Sequence, residues 1–312
     1  LLKASVLRKN VFSSMKKSNT YILILSVVLF SYRAWAVAPH QDSVAAKAIS
    51  IMTWNVKLLP RGAVFLHHHP VVRAKLIPAK LMEENADVII FQEAYDGLSI
   101  RIIKRKIKAT YPFCMGTKNR KAISYKRAGG IIMFSKYPMK ELESIKYSQC
   151  KGYIDCSASK GAMIVEVDHP AGKIQVLGTH IQAGGTKEIK ESQFNESGFL
   201  LKKYEKEGVP QFACGDFNTK RIDTILYPKL INALRCEDGE ICTPLKYTSD
   251  HKLNDMDYYD PEKRHLIDYV FVRRNGVKPI STLRSVKQIQ QQWDKKHKDL
   301  SDHFPVILKM TL

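Results

Sequence analysis

Short apolar runs rich in β-branched residues recur along residues 49–312, and most of them are bounded by Gly, Pro, Asp or Asn. Runs of this length and composition predict buried β-strands. Two neighbouring runs are joined by Pro170-Ala171-Gly172, which indicates a hairpin. The predicted strands cover residues 49–56, 87–92, 130–135, 162–167, 173–181, 211–216, 266–273 and 305–312.

The spacing of apolar residues predicts helices between some of these strands. Pro78 is expected to kink the first helix, and Gly208 to end the third. Because strands outnumber helices, the pattern favours an α+β sandwich in which helices cover a core of two sheets. No repeat and no long polar linker divides the chain, so we expect residues 39–312 to form one domain. The predicted helices cover residues 71–84, 98–108, 187–206 and 219–230.

The N-terminus has the organisation of an export signal. Two lysines precede an apolar run at residues 21–30, and small residues follow it. The run is short for a membrane span, so we expect a signal peptide over residues 1–38, cleaved near Ala36 or Ala38. This predicts a secreted protein, extracellular or periplasmic, and an uncleaved N-terminal anchor is the alternative. Met15 stands where translation would start, so the first fourteen residues are expected to lie outside the fold.

The chain is strongly basic, with a formal net charge of +20 at pH 7. Residues 1–38 hold six Lys or Arg and no Asp or Glu, which leaves +14 on the remainder. A field of this sign attracts polyanions or anionic membrane surfaces.

Export permits disulfide bonds, and the chain has six cysteines. Cys150 and Cys156 enclose five residues of a Gly-containing stretch, as do Cys236 and Cys242. We predict a bridge within each pair. Cys214 lies in an apolar run and is predicted to be a buried thiol. The spacings do not match a zinc site.

Polar residues lie within or beside the ends of the predicted strands. One such residue alone is most simply a turn or structural residue, and Asp216 with Asn218 could form an Asx turn. Taken together, they suggest one shared rim where strand ends converge. The residues are Asn55, Glu93, His180, Asp216, Asn218, Asp268, Asp302 and His303.

These residue types suit phosphate chemistry. Glu93 ends a buried strand and offers the hard oxygen that Mg²⁺ prefers. Asp216 and Asn218 are two residues apart on an extended segment, so their side chains share a face and can hold a water and a phosphoryl oxygen. Asp268 lies inside an apolar strand and needs a partner, which His303 can provide. An Asp that holds one imidazole nitrogen leaves the other to take a proton from water.

Six segments, TWN, FQE, GTH, GDFN, IDYVFV and SDHFPV, occur in the order found in the endonuclease/exonuclease/phosphatase superfamily. The chain resembles this DNase I-like superfamily over residues 49–312. The resemblance implies a four-layer α/β/β/α sandwich of two mixed β-sheets flanked by helices, with the site at one end of both sheets. It also implies phosphodiester hydrolysis with Mg²⁺, for which Mn²⁺ or Co²⁺ could substitute.

The resemblance implies a role for each motif. Glu93 would be the principal metal ligand, assisted by Asn55, and Asp302 would lie beside the metal. His303 would be the general base, oriented by Asp268. The remaining roles fall on three residues of two other motifs. Asp216 and Asn218 would position the nucleophile and the phosphate, and His180 would donate to a phosphoryl or leaving-group oxygen.

Three further segments resemble neutral, bacterial-type sphingomyelinase C. They are RAGGIIMFSKYPM at 127–139, DCSASKGA at 155–162 and THIQA at 179–183. Lys160, in the second segment, could contact the phosphate or be a solvated loop lysine. The resemblance thus narrows the substrate to a choline phospholipid.

The chain departs from that family in one respect. The family typically carries an aromatic hairpin that enters membranes between the last two motifs, whereas residues 273–300 hold one aromatic residue, Trp293. We therefore expect peripheral membrane contact through basic residues instead of deep insertion. Tyr258, Tyr259 and Trp293 are candidates for a choline pocket. The histidine triplet 67–69 could line a lipid-facing rim, but we favour an exposed loop.

The sequence therefore predicts a secreted, monomeric, Mg²⁺-dependent sphingomyelinase C that cuts sphingomyelin to ceramide and phosphocholine. A secreted DNase is the main alternative, because the charge and the shared catalytic set also suit nucleic acid. A phosphoinositide phosphatase and a non-catalytic toxin of the same fold are further alternatives. The SKYP and A-x-K-G segments argue against the DNase, and the complete set of polar residues argues against a non-catalytic protein.

Overall fold

The computed structural model describes residues 47–61, 68–116, 130–257 and 260–312. The predicted signal peptide lies outside the described residues, as do His67, residues 127–129, Tyr258 and Tyr259. In the part of the chain that the structure describes, no helix is both long and apolar enough to cross a membrane.

Two mixed β-sheets form the centre of the molecule. The strands of the first sheet are β1 (Ala48–Leu58), β2 (Val88–Ala94), β3 (Phe113–Gly116), β4 (Ile132–Ser135), β12 (Ser281–Val286) and β13 (Val306–Thr311). Their order across the sheet is β12–β13–β1–β2–β4–β3. β1 and β2 are parallel, and the other neighbours are antiparallel.

The second sheet contains β5 (Met139–Lys146), β6 (Gly161–His169), β7 (Gly172–His180), β8 (Gln211–Asp216) and β11 (Asp268–Arg273). Their order is β11–β8–β7–β6–β5, with β7 and β8 parallel. The predicted hairpin is confirmed, because β6 and β7 pair antiparallel from Ala162↔Thr179 to His169↔Gly172. A small separate ribbon pairs β9 (Ser249–Asp250) with β10 (Arg264–His265).

Helices cover the outer face of each sheet. They are α1 (Pro70–Glu84), α2 (Gly97–Ile107), α3 (Tyr153–Ser157), α4 (Lys187–Lys203) and α5 (Leu226–Leu234). α1 and α2 pack on each other and share an apolar cluster with the first sheet. α4 and α5 pack on each other, and their apolar side chains join the large cluster that also fills the space between the sheets. The predicted four-layer sandwich is therefore confirmed.

Two predicted helices have different bounds in the structure. The helix predicted at 219–230 begins at Leu226, because the Asp223 carboxylate accepts hydrogen bonds from the backbone N–H groups of Ile225 (2.9 Å) and Leu226 (2.8 Å) and so caps the helix there. The helix predicted at 187–206 ends at Lys203. Beyond it the chain turns back through a bridge between Lys206 and Val209.

The disulfide prediction is half right. Cys150 and Cys156 form a bridge, whereas Cys236 and Cys242 are both free thiols. The segment between Cys236 and Cys242 pairs with both sheets, because Glu237 forms a β-bridge to β11 and Ile241 forms one to β12. Cys236 is buried and Cys242 is exposed, so the two thiols face different surroundings. Cys214 is a buried thiol, as predicted.

Candidate active site

The strand register of the first sheet brings three predicted site segments to one edge. Asn55 and Glu93 lie near the ends of β1 and β2, which are parallel. β13 runs antiparallel to β1 and begins beside Thr53, so Asp302 and His303, just before β13, reach the same edge.

The second sheet delivers its polar residues in the same way. His180 ends β7 and is paired with Asp216, which ends the parallel strand β8. Asp268 begins the antiparallel strand β11 and is also paired with Asp216. Two side-chain hydrogen bonds then link the sheets: Asn55 Nδ2 donates to Asp216 Oδ2 over 3.1 Å, and His303 Nδ1 lies 2.8 Å from Asp268 Oδ2.

Buried donors hold the end of β1 against the segment that carries Asp302 and His303. Trp54 Nε1 donates to the carbonyl of His303 over 2.8 Å, and Ser301 Oγ donates to the carbonyl of Asn55 over 2.6 Å. Arg73, from α1, is fully buried and donates to the carbonyls of His68, Val56, Lys57 and Leu300. One guanidinium therefore fixes three backbone segments around the site.

The His303–Asp268 pair has the geometry of an oriented base. Asp268 is 1% exposed, and its Oδ2 is the acceptor placed for a proton on Nδ1 of the imidazole. Burial opposes the charge of the imidazolium, but Asp268, Asp216 and Asp302 together raise the pKa of His303 well above its usual value. Nε2 of His303 is then the nitrogen left to exchange a proton with a ligand.

Asp216 lies beside this pair in a strongly acidic pocket. Burial, followed by repulsion from Asp268, raises the pKa of Asp216 to about 7. Its Oδ1 accepts a hydrogen bond from the backbone N–H of Asn218 over 2.9 Å, as in an Asx turn. Gly215 allows this arrangement, because a Cβ at that position would lie 2.0 Å from the carbonyl oxygen of Thr179.

The side chain of Asn218 is turned toward the end of β7. Its Nδ2 donates to the backbone carbonyl of Ile181 over 2.9 Å. The backbone carbonyl of Asn218 accepts a hydrogen bond from Lys190 Nζ over 2.6 Å. Asn218 has a φ of 47°, in the left-handed region that Asn tolerates better than most residues. The prediction that Asp216 and Asn218 share a face of one extended segment is therefore wrong, because β8 ends at Asp216, and the alternative of an Asx turn is confirmed.

Glu93 is the side chain that best fits a divalent cation. In the described residues, its carboxylate has neither a hydrogen bond nor an ion pair, although burial and the nearby Asp302 carboxylate raise its pKa. Its φ is 55°, and Gly130 lies so close that a Cβ there would be 2.9 Å from the Glu93 Cα. A half-buried carboxylate without a partner, held in a strained backbone conformation, is the arrangement that a metal ion would relieve.

Asp302 lies on the same side as Glu93 and already has a cationic partner. Lys57 Nζ is 2.6 Å from Asp302 Oδ2. Burial would raise the pKa of Asp302, but Lys57, His303 and Arg73 together outweigh burial and lower that pKa to about 2. Asn55 Oδ1 accepts from the backbone N–H of Lys57 over 3.2 Å and keeps a second lone pair. Glu93, Asn55 and Asp302 thus offer three oxygen donors of the type that Mg²⁺ binds.

A second set of possible ligands consists of Asp216, Asp268 and His303, whose ligand atoms lie within 4.8 Å of one another. Nδ1 of His303 already faces Asp268, so an ion in this position would bind His303 through Nε2, the nitrogen left to exchange a proton with a ligand. We therefore favour Glu93 over this group as the metal-binding residue.

His180 and Lys160 form a buried pair beside Asp216. Lys160 Nζ is 2.9 Å from His180 Nε2 and 3.0 Å from Asp155 Oδ1, and the lysine is 7% exposed. An ammonium group can only donate, so Nε2 of His180 is the acceptor in this contact. His180 Nε2 is also 3.5 Å from Asp216 Oδ2. Lys160 is therefore a buried residue of the site and not a solvated loop lysine.

The expectation that His68 lies in an exposed loop is wrong, whereas Trp293 stays a predicted candidate for a choline pocket. Trp293 is stacked on His297 at 4.8 Å and donates from Nε1 to the carbonyl of Asp299 over 2.8 Å, so one face of its ring is already covered. His68 is buried, with Nε2 3.4 Å from the carbonyl of Leu59, so it does not belong to an exposed loop. Its neighbour His69 is exposed.

Lys57, Arg73 and Asp155 belong to the site by contact and were not among the predicted site residues. Lys57 had a weak signal in the sequence, since it lies two residues after Asn55 where the strand ends. Asp155 had the D-x-x-A-x-K-G segment it shares with Lys160. Arg73 opens the segment 73–77, which resembles the first helix of the bacterial-type sphingomyelinases, but nothing in that segment indicated that its guanidinium is buried beside the site.

Comparison with known proteins agrees with this geometry. The model of the endonuclease/exonuclease/phosphatase family matches residues 52–303, well over half of the chain. The chain belongs to the endonuclease/exonuclease/phosphatase family. Sphingomyelinase C 2 of Leptospira interrogans is 24% identical to this chain, over 83% of this chain and 45% of that protein. The chain thus spans less than half the length of that relative. Phospholipase C of Staphylococcus aureus is 25% identical over 96% of this chain and 98% of that protein.

The structural relatives point to the same fold. A variant of beta toxin from Staphylococcus aureus, solved with bound magnesium ions, superposes with a TM-score of 0.73 at 23% identity, over 84% of this chain and 99% of that one. At this identity the likeness supports the fold of the endonuclease/exonuclease/phosphatase family, and the activity of this chain has to be argued from its own residues.

Proposed function

We propose that this protein is a Mg²⁺-dependent sphingomyelinase C, which hydrolyses sphingomyelin to ceramide and phosphocholine. The observation that carries the proposal is the convergence of the His303–Asp268 pair, Asp216 and the unpartnered Glu93 carboxylate at one edge of both sheets. The choice of lipid is supported by the sphingomyelinase C and phospholipase C relatives.

In this proposal His303 is the general base. Asp268 Oδ2 accepts a hydrogen bond from Nδ1–H of His303, which leaves Nε2 to take the proton of the attacking water. Trp54 and Ser301 hold the backbone on either side of His303, so the imidazole is positioned before the substrate binds. Asp216, beside the pair, orients the water.

The phosphate would be bound by donors from the second sheet. Lys160 is buried and positively charged, and it donates toward His180. Its three N–H groups already face His180, the carbonyl of Ile181 and Asp155, so Lys160 would act on a phosphoryl oxygen through its charge, with His180 assisting the leaving group. Asn218 would contribute by holding Asp216, since its backbone N–H donates to Asp216 Oδ1 and its side-chain Nδ2 donates to the carbonyl of Ile181. Leaving-group assistance by His180 requires a proton on the nitrogen that faces the substrate.

Glu93 would be the main metal ligand, with Asn55 and Asp302 as additional oxygen donors. When bound, Mg²⁺ would act as a Lewis acid toward the phosphoryl oxygens. The residues of this chain contribute the negative charge that holds the ion and the backbone contacts that keep Glu93 in place against Gly130.

We propose that the protein acts outside the cell as a monomer, after removal of residues 1–38, and that residues 39–312 form one catalytic domain. The excess of positive charge favours peripheral contact with anionic lipid surfaces. The same charge favours nucleic acid, so a DNase activity is the second candidate.

Parallel assays test the proposal. The purified protein is incubated with vesicles of sphingomyelin, phosphatidylcholine or a phosphoinositide, and with duplex DNA, each with Mg²⁺ and with EDTA. We expect phosphocholine release from sphingomyelin, abolished by EDTA and by His303→Ala. DNA nicking without phosphocholine release would replace the lipid assignment with the DNase, and phosphate release from the phosphoinositide would indicate the phosphatase. Activity that persists in EDTA would refute the metal requirement.

A further inference from the structure

Lys57 places a fixed positive charge inside the proposed metal site. It lies near the end of β1, has a φ of 43°, and its side chain is 24% exposed. Its backbone is fixed at both ends of the residue, since the N–H donates to Asn55 Oδ1 and the carbonyl accepts from Arg73. The ammonium is thereby directed to Asp302, with Nζ 2.6 Å from Oδ2.

The surroundings of this ammonium group are acidic. Besides Asp302, the carboxylates of Glu93 and Asp257 are close enough to act on Lys57 electrostatically. Arg73, which also acts on Asp302 and Glu93, directs its guanidinium to backbone carbonyls. Lys57 is thus ion-paired with Asp302 in a cluster of carboxylates, and without Lys57 this cluster would offer several oxygens to a divalent ion.

We propose that the Lys57 ammonium occupies the position of a second divalent cation, so that this protein binds one Mg²⁺ at Glu93 and uses Lys57 as the second positive charge. This inference rests on the proposed function, which places the first ion at Glu93. A lysine is a compact point charge that can stabilise negative charge on the phosphoryl group without metal exchange.

Metal titration calorimetry tests the proposal without a substrate. Mg²⁺, and Mn²⁺ as a second probe, are titrated into wild type, Lys57→Met and Lys57→Arg. We expect one ion for wild type and for Lys57→Arg, and two for Lys57→Met, in which Asp302 has lost its partner. The matched control is Lys136→Met, because Lys136 pairs with Asp87 over 3.2 Å at similar burial (19% and 13% exposed) but at the opposite end of β2. It should bind one ion.

Hydrolysis provides an independent measurement. We expect Lys57→Met to lose roughly 10²-fold in kcat at low Mg²⁺. Activity should return in part as Mg²⁺ is raised, because a second ion enters the position that Lys57 vacates. A lysine with a purely structural role would give a loss that no Mg²⁺ concentration restores.

The outcomes separate the two proposals. Two ions in wild type, or one ion in Lys57→Met, would overturn the inference about Lys57 and leave the proposed function intact. No ion in wild type would remove the proposed metal site itself. The wild-type stoichiometry tests the inference even if Lys57→Met does not fold.

Discussion

Replacing Asp268 by Asn tests whether the buried carboxylate orients the base. Asp268 is 1% exposed, and its Oδ2 lies 2.8 Å from His303 Nδ1. An Asn can turn its amide N–H₂ toward Nδ1, which would move the imidazole proton to Nε2, the nitrogen required to accept a proton from water. We expect kcat to fall about 10³-fold, which corresponds to about 4 kcal/mol of lost transition-state stabilisation.

The effect on folding should be much smaller, because two changes oppose each other. The substitution removes a hydrogen bond to a charged group, which contributes about 1.5–3 kcal/mol. It also removes the repulsion between Asp268 and Asp216, which contributes to the raised pKa of Asp216. The free energy of unfolding should therefore fall by no more than about 2 kcal/mol.

Steady-state phosphodiesterase assays and urea unfolding measure the two quantities separately. The matched control is Asp87→Asn, because Asp87 also accepts hydrogen bonds in the structure, from Ser50 N over 2.8 Å and Lys136 Nζ over 3.2 Å, but lies at the start of β2, away from the site. It should lose stability and keep kcat. A kcat for Asp268→Asn within tenfold of wild type would refute the role of Asp268 in orienting His303.

Three further predictions concern the metal, the GDFN turn and acid stability. Glu93→Gln should abolish Mg²⁺ binding in calorimetry and lower kcat/KM by at least about 100-fold, and unchanged Mg²⁺ affinity would exclude Glu93 as the main ligand. Gly215→Ala should cost at least about 2 kcal/mol in urea unfolding, since its Cβ would meet the Thr179 carbonyl, and wild-type stability would contradict that contact. The pKa of Glu166 is lowered to about 2, and a hydrogen bond from Lys206 is the largest of the effects that lower it. The ionised Glu166 carboxylate should therefore stabilise the fold fully above pH 4.5, and this stabilisation should be lost as the pH falls toward 2. Wild type and Glu166→Gln should therefore converge in stability over that range, and parallel curves would contradict the prediction.

The sequence predicted the central strands well and missed most of the edge strands. The central strands β1, β2, β7 and β8 are buried on both faces, so their apolar runs are continuous. β3, β5 and β12 lie at sheet edges and were not predicted. β5 reads MKELESIK and β12 reads STLRSV, because an edge strand is partly exposed and carries polar residues that dilute the apolar signal.

Residue types and their places along the predicted strands were enough to indicate which chemical groups belong to the site. Asn55 and Glu93 lie near the ends of one parallel pair of strands, and His180 and Asp216 lie at the ends of another, so each pair reaches one edge of its own sheet. Their types were sufficient to predict phosphate chemistry.

The pairing of those groups depends on how distant segments pack, and the sequence pattern does not contain it. Lys57 and Asp302 are 245 positions apart, and no local pattern indicates that an ammonium will lie 2.6 Å from that carboxylate. The same holds for Cys236 and Cys242, which are close in sequence but separated because their flanking residues pair with different sheets. The periodicity of apolar residues predicts the secondary structure and the buried face of one segment. The partners of a side chain depend instead on the order and packing of strands that are distant in sequence.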